Sequence, residues 1–321
     1  MSLKAGFIVN PLSHTVQRKG SVLERAARDL QDVDLIRIST FSSLPDEVRQ
    51  LTQSGVTAFF IEGGDGTLQA VMTALIAAVE SPAPLPDIAI LPGGSTNLAY
   101  KIAGLRGGAP GQIAEYVSAY QAGAELSRTP LPALQVSCAG LASPLAGMLL
   151  STGSLARAML YTQTQLHGDG QRGSFAVADA ALRFVLAPGA YKDASGAPLL
   201  WPSELAAESA AFQLRGPHAL SLMTTLPSLS LGLKPFWGPE EAGPIAFTHA
   251  AWPITGFRRA FLKILAGATG PGMALHGLQS HRAGEITLIC EGPVVLDGEL
   301  LQLPPDGRIT VRPTRPFRFL R

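Results

Sequence analysis

Gly63-Gly64-Asp65-Gly66-Thr67 stands directly after an apolar, β-rich run and directly before a helical one. Glycines let a backbone approach a ligand closely, and the amides and dipole at a helix start favour an anion, so Gly63, Gly64, Gly66 and Thr67 read as a phosphate cradle. A carboxylate beside phosphates repels them unless a cation intervenes. Asp65 therefore implies magnesium and is the candidate metal ligand. A second loop, Pro92-Gly93-Gly94-Ser95-Thr96-Asn97, follows the next strand and offers Gly94, Ser95 and Asn97. Asn10-Pro11-Leu12-Ser13 closes the first strand in the same way. Ligands of open α/β sheets bind outside the carboxyl ends of the strands, so these loops are expected to face one crevice.

Far along the chain, Val294-Val295-Leu296-Asp297-Gly298-Glu299 sets two carboxylates around a glycine. On spacing alone Asp-Gly between apolar segments is a hairpin turn. Other signatures are absent: GxxxxGK[ST], the third glycine of GxGxxG, HExxH and GxSxG. His276 and His281 fall off a common helical face, and the histidines read as surface or loop residues rather than metal ligands.

The elements that must position these residues alternate. Ala5 to Val9 reads as a strand, and Ser21-Val22-Leu23-Glu24 has capping-box spacing that starts a helix running to about Leu30. Asp34 to Ser39 is a second strand. Ser43 to Ser54 is a helix, with Pro45 near its start and Gly55 beyond its end. Ala58 to Ile61, a helix from Leu68 to Val79, and a strand from Ile88 to Leu91 complete a parallel-sheet α/β pattern with helices on both faces. The rhythm then changes, which sets expected domains at 1–126 and 127–321. Short apolar runs follow at Leu134–Ser137, Phe184–Leu186, Ala219–Met223, Pro244–Phe247, Ile286–Ile289 and Ile309–Val311. With helices at Leu155–Gln165 and Phe257–Leu265 between them, they suit an antiparallel, sandwich-like β domain.

Composition bounds the rest. The 321 residues carry a net charge of +1 and are only 15% charged, which argues against a nucleic-acid partner and against disorder. Cys138 and Cys290 have no CxxC spacing and read as core residues of a reducing cytosol. The first residues lack a signal-type apolar run, so a cytoplasmic location is expected.

In order and spacing, GGDGT, PGGSTN and LDGE resemble the diacylglycerol kinase catalytic family, the lipid kinases of bacteria together with the sphingosine and ceramide kinases. The resemblance implies a nucleotide-binding α/β domain similar to that of NAD kinases, a carboxyl-terminal β-rich lipid domain, and an active site in the cleft between them. It also implies ATP and Mg2+, with a diacylglycerol, sphingoid or ceramide-type hydroxyl as acceptor. By motif, Asn10, Pro11 and Ser13 match the first ATP-contacting loop, Thr40 a polar contact after the second strand, and Gly63 to Thr67 the triphosphate loop. Ser95 and Asn97 match the usual Thr and Asn of the second loop. Asp297 and Glu299 match the carboxylates that act on the lipid hydroxyl, Glu299 taken as base and Asp297 as its partner. The chain departs from the family at Leu68-Gln69, where Asn-Glu is usual. It departs again at Pro239-Glu240-Glu241-Ala242-Gly243, where an Asp-Asp-Gly stretch often lies near a structural magnesium.

A lipid kinase is thus expected. The alternatives are an NAD kinase-like enzyme, which shares GGDGT and a following leucine, and a nucleotide- or lipid-binding regulator without turnover. A homodimer is compatible with either. Arg258, Arg259 and Lys263 amid Trp252, Phe257, Phe261 and Leu262, and Arg312, Arg315 and Arg318 around Phe317 and Phe319, suit peripheral membrane contact. The favoured reading of both is ordinary solvated arginines on a helix and a strand.

Overall fold

The computed structural model describes residues 3–94, 97–168, 192, 196, 198–229 and 232–321. The chain forms two compact units, residues 1–133 with 314–321, and residues 134–313. Sequence texture set the boundary after residue 126 and kept the chain's end in the second domain. The division observed instead returns the last residues to the first unit.

In the first unit, strands β1 (Ala5–Val9), β2 (Val33–Arg37), β3 (Ala58–Gly63) and β4 (Asp87–Pro92) alternate with helices. These are α1 (His14–Lys19), α2 (Val22–Ala26), α3 (Leu44–Gln53), α4 (Asp65–Ala78), α5 (Leu98–Ala103) and α6 (Pro110–Gln121). The four strands lie parallel in the order β2-β1-β3-β4. β1 and β3 are buried along their whole length because helices cover both faces. Successive side chains alternate between those faces. Phe7 and Phe60 point to one and meet Leu23 of α2 and Val117 of α6. Gly6 points to the other, where a Cβ would come within 3.0 Å of Val56 and 3.3 Å of Leu51 of α3.

Apolar, β-rich runs in the sequence located these strands to within about two residues, but α4 starts at Asp65, inside the glycine motif, rather than at Leu68. α1, α5 and α6 are additional to the expected helices. The capping box is only half formed. Ser21 Oγ accepts from Glu24 N at 2.9 Å, whereas the Glu24 carboxylate turns to Arg37 at 3.6 Å. The carboxylate that reaches Ser21 belongs to Glu62 of β3, and the helix tightens to a 3-10 turn after Ala26.

The sheet continues through the chain's last residues. Phe317–Leu320 pairs parallel with β4 and antiparallel with β5 (Arg128–Leu131). The chain leaves this unit at Ala133 and returns at Thr314, a junction where Ala133 N donates to Thr314 Oγ1 at 2.9 Å and Thr314 N to Ala133 O at 2.8 Å. Phe317 and Phe319 are fully buried, so the final strand adds to the core of the first unit.

The second unit is one antiparallel sheet of eleven strands among the described residues. In chain order they are β6 (Leu134–Cys138), β7 (Leu145–Gly147), β8 (Leu149–Thr152), β9 (Ser203–Glu208), β10 (Gln213–Thr224) and β11 (Ile245–Ala251). β12 (Leu278–Ala283), β13 (Ile286–Cys290), β14 (Val294–Leu296), β15 (Glu299–Leu300) and β16 (Arg308–Pro313) complete it. β10 is long enough to serve three neighbours, pairing with β9 over Gln213–His218, with β8 over Ser221–Thr224 and with β11 over His218–Thr224. Alternate residues from most strands, among them Val136, Leu150, Met223, Phe247, Leu288, Leu296 and Ile309, meet in one apolar cluster. α7 (Gly153–Gly168) and α8 (Phe257–Leu265) interrupt the strands where the helical patterns stood. The expected strand at Phe184–Leu186 lies outside the described residues. Cys290 is buried, and burial raises its thiol pKa to about 11; Cys138 is partly exposed rather than a core residue. No described helix is long and apolar enough to cross a membrane.

Candidate active site

Because the strand order reverses at β1, the loops after β1 and β3 leave neighbouring strand ends at the switch point of the sheet, the place where open α/β folds bind ligands. The three glycine and asparagine loops are tied into one unit there. Asn10 N donates to Glu62 O at 2.9 Å and Asn10 Nδ2 to Thr67 Oγ1 at 2.9 Å, linking the first loop to the second. Gly93 N donates to Gly63 O at 3.0 Å, and Thr15 N to Gly93 O at 2.9 Å, linking the third to both.

The glycines serve this close approach of backbones. A Cβ on Gly93 would lie 2.5 Å from Gly63 Cα, and one on Gly94 would lie 2.6 Å from Gly64 Cα. Gly64 is the N-cap of the 14-residue α4 and supplies no side-chain cap, so the dipole of a long helix opens at the middle of the motif.

Several expected contact residues turn out to build the loops. The Asn10 carbonyl accepts from Ser13 N and Ser13 Oγ, and its side-chain oxygen accepts from Leu12 N at 3.0 Å. Pro11 sits half-buried between them. Asn97, left-handed at φ 49°, turns its amide back on Gly94, accepting from Gly94 N at 2.9 Å and donating to Gly94 O at 2.7 Å. Thr40 is exposed after β2, within hydroxyl contact of Ser42 and Ser43. Ser95 lies outside the described residues.

Asp65 is the sole carboxylate of the three loops. Its Oδ2 accepts from Leu98 N at 3.2 Å and its Oδ1 from Ala99 N at 3.3 Å, so it serves as the anion at the start of α5 and joins the two glycine loops. Among the described residues no group of three or more His, Cys, Asp or Glu side chains could hold a metal ion. One carboxylate turned to two amides does not make a resident metal site.

Glu62 is the residue that sequence reasoning missed. At the end of β3 and 2% exposed, it accepts from Ser21 Oγ at 2.5 Å, Val22 N at 2.9 Å and Leu23 N at 3.1 Å. A buried carboxylate survives when charge-assisted hydrogen bonds replace its water, and here they clamp α2 beside the first loop. The only local hint was a glutamate within an otherwise apolar strand.

In the second unit, Asp297 and Gly298 both have positive φ, 49° and 97°, and Leu296 pairs with Glu299. This is the primed two-residue hairpin the spacing suggested. It is also more than a turn. The Asp297 carboxylate accepts from Met148 N and Leu149 N, each at 2.8 Å, and Asp297 N donates to Leu149 O at 2.9 Å. Gly147 permits the approach, since a Cβ there would sit 2.8 Å from Asp297 Oδ2. The turn splits the two carboxylates: Asp297 is held against β8 and Glu299 is exposed.

A parallel-sheet α/β domain with glycine loops gathered at its strand ends, continuing into a large antiparallel β domain, defines the class. Residues 4–125 match the family model of the diacylglycerol kinase catalytic domain. The chain as a whole is similar to the crystal structure of a diacylglycerol kinase from Bacillus anthracis, with a TM-score of 0.61 and 15% identity over 100% of this chain and 97% of that one. A second structure from that organism matches with a TM-score of 0.64 and 17% identity, covering 98% and 95% of the two chains. At such identities these likenesses show the fold. No curated protein matches the sequence. The family match supports a lipid-kinase-like phosphotransferase function, and a kinase family implies ATP and typically a divalent metal.

Proposed function

We propose that the protein transfers the γ-phosphate of ATP to the hydroxyl of an apolar alcohol, a lipid such as a diacylglycerol or a sphingoid or ceramide-type lipid. The observation that carries this is the fusion of the three loops at the switch point. Gly63, Gly64, Gly66 and Thr67 open α4 toward an anion, while Asn10, Ser13, Asp65, Gly93, Gly94 and Asn97 hold the surrounding backbone rigid. Phosphoryl transfer needs chiefly such positioning and charge stabilisation. Thr40 and Ser95 are assigned to nucleotide contact on the motif resemblance alone. Any magnesium would be brought by the nucleotide's phosphates, and none of the roles given to this chain's residues depends on a resident ion.

On the acceptor side, Asp297 already receives two amide hydrogens and is the positioning residue. Glu299, exposed on the following strand, is the base that takes the proton from the acceptor hydroxyl.

The test is incubation with γ-labelled ATP and a total membrane lipid extract, with soluble NAD in a parallel reaction. Label in a lipid supports the proposal. Label in NAD overturns it in favour of the NAD kinase-like alternative, and label in neither leaves a binding protein without turnover.

A further inference from the structure

We propose that α8, with the 3-10 turn Pro271–His276 packed against it, is a docking surface for an anionic lipid bilayer. The inward face of α8 is settled: Ala260 is buried and Ile264, one turn on, packs with Met273, Leu278 and Trp252. The opposite face is apolar as well. Leu262 is 63% exposed and Leu265 47%, and Leu275 on the adjoining turn is 83% exposed, three of the eight exposed large hydrophobics of the described chain. A helix serving only its own domain would put polar groups there.

Charge selects the occupant. Arg258, Arg259 and Lys263 are exposed on the same helix. From residue 242 to residue 284 the sequence has no Asp or Glu, so neither α8 nor the turn carries an acidic residue. Leucines ringed by basic residues with no counter-charge on their own elements fit an acyl region beneath anionic headgroups. Helices of this kind lie in the plane of the interface, leucines down and cations at headgroup level.

The inference needs no step of the phosphotransfer reading, and a protein that docks without labelling a lipid leaves it standing. The experiment is cosedimentation of the full chain with vesicles of phosphatidylcholine alone and of phosphatidylcholine with phosphatidylglycerol, over a range of salt. The expected result is binding to the anionic vesicles that weakens as salt rises. Arg259→Gln with Lys263→Gln should cut the partition about 25-fold, at roughly fivefold per basic residue. Leu262→Gln with Leu265→Gln and Leu275→Gln should cut it by at least about tenfold, given the transfer energy of partly buried leucines. Both variants should keep the parent's melting temperature, because the substituted side chains are exposed. Failure to bind anionic vesicles, or unchanged binding by both variants, overturns the proposal. So does a lipid-free dimer that the leucine variant abolishes, since a second copy would then be the occupant.

Discussion

The carboxylate of Asp65, on the first residue of α4, accepts the amide of Leu98, on the first residue of α5, at 3.2 Å. One side chain thereby joins two helix starts that follow successive strands of the sheet. Asp65→Ala should therefore destabilise the fold by about 1 to 2 kcal/mol, the usual cost of losing an anionic cap, whether or not nucleotide is present. Asp65→Asn, which keeps one acceptor, should cost less. Denaturant unfolding without ligand checks this; a fold as stable as the parent's in Asp65→Ala would confine the residue to ligand binding.

Gly93 and Gly63 touch backbone to backbone, and neither can retreat without moving a strand. Gly93→Ala should cost about 1 to 3 kcal/mol by overpacking and lower phosphotransfer by displacing the loops. Gly64→Ala meets Gly94 Cα at 3.2 Å and should be milder in stability. Thermal unfolding of the pair gives the order; equal melting temperatures would mean that the loops yield freely.

The carboxylates of the hairpin should separate by assay. Glu299→Gln is expected to lower kcat by about 10² to 10⁴, the range of general-base catalysis, with the melting temperature unchanged because the side chain is exposed. Asp297→Ala leaves the Met148 and Leu149 amides without their acceptor and should cost about 1 to 3 kcal/mol in stability as well as activity. Full turnover in Glu299→Gln combined with loss in Asp297→Asn would exchange the two roles.

The interior of the second unit should make the protein acid-sensitive. His218 on β10 is buried, with Nδ1 donating to Ser203 O at 2.7 Å and Nε2 accepting the Thr152 hydroxyl at 2.8 Å. Its ring stacks 6.1 Å from that of His249, whose Nδ1 has no hydrogen-bond partner. Burial, reinforced by His218 and His281, lowers the His249 pKa from 6.5 to about 4. The unfolded chain therefore binds the proton first as pH falls. The stability associated with neutral His249 is complete above about pH 6.5, shrinks from there down to about pH 4, and totals roughly 3 kcal/mol at 1.36 kcal/mol per unit. His249→Phe should flatten this part of the stability-against-pH curve. A parent whose stability does not change between pH 6.5 and 4 would contradict the buried neutral assignment.

The four strands of the first unit and its helices α2, α3 and α4 were legible because they depend on near neighbours, whereas α1, α5 and α6 were not. A continuous apolar run gave Ala5–Val9 outright, and Pro45 with Gly55 bracketed Leu44–Gln53. The glycine loops were legible too, since an apolar strand followed by small residues and a helix is a local pattern. The Asp-Gly hairpin was readable on the same ground, and the structure adds what its carboxylate does.

What the tertiary structure alone decided is which distant group each polar atom meets. Ser21 takes the carboxylate of Glu62 rather than that of Glu24, Asp65 takes the amides of α5, and Asp297 those at the start of β8. Phe317–Leu320 leaves the β-rich stretch of sequence to close the first sheet beside β4. These partners lie tens to hundreds of residues apart in the chain. A carboxylate's own spacing states that it needs donors, but which donors arrive is determined by strand order and helix docking, and those follow from packing of the whole apolar surface.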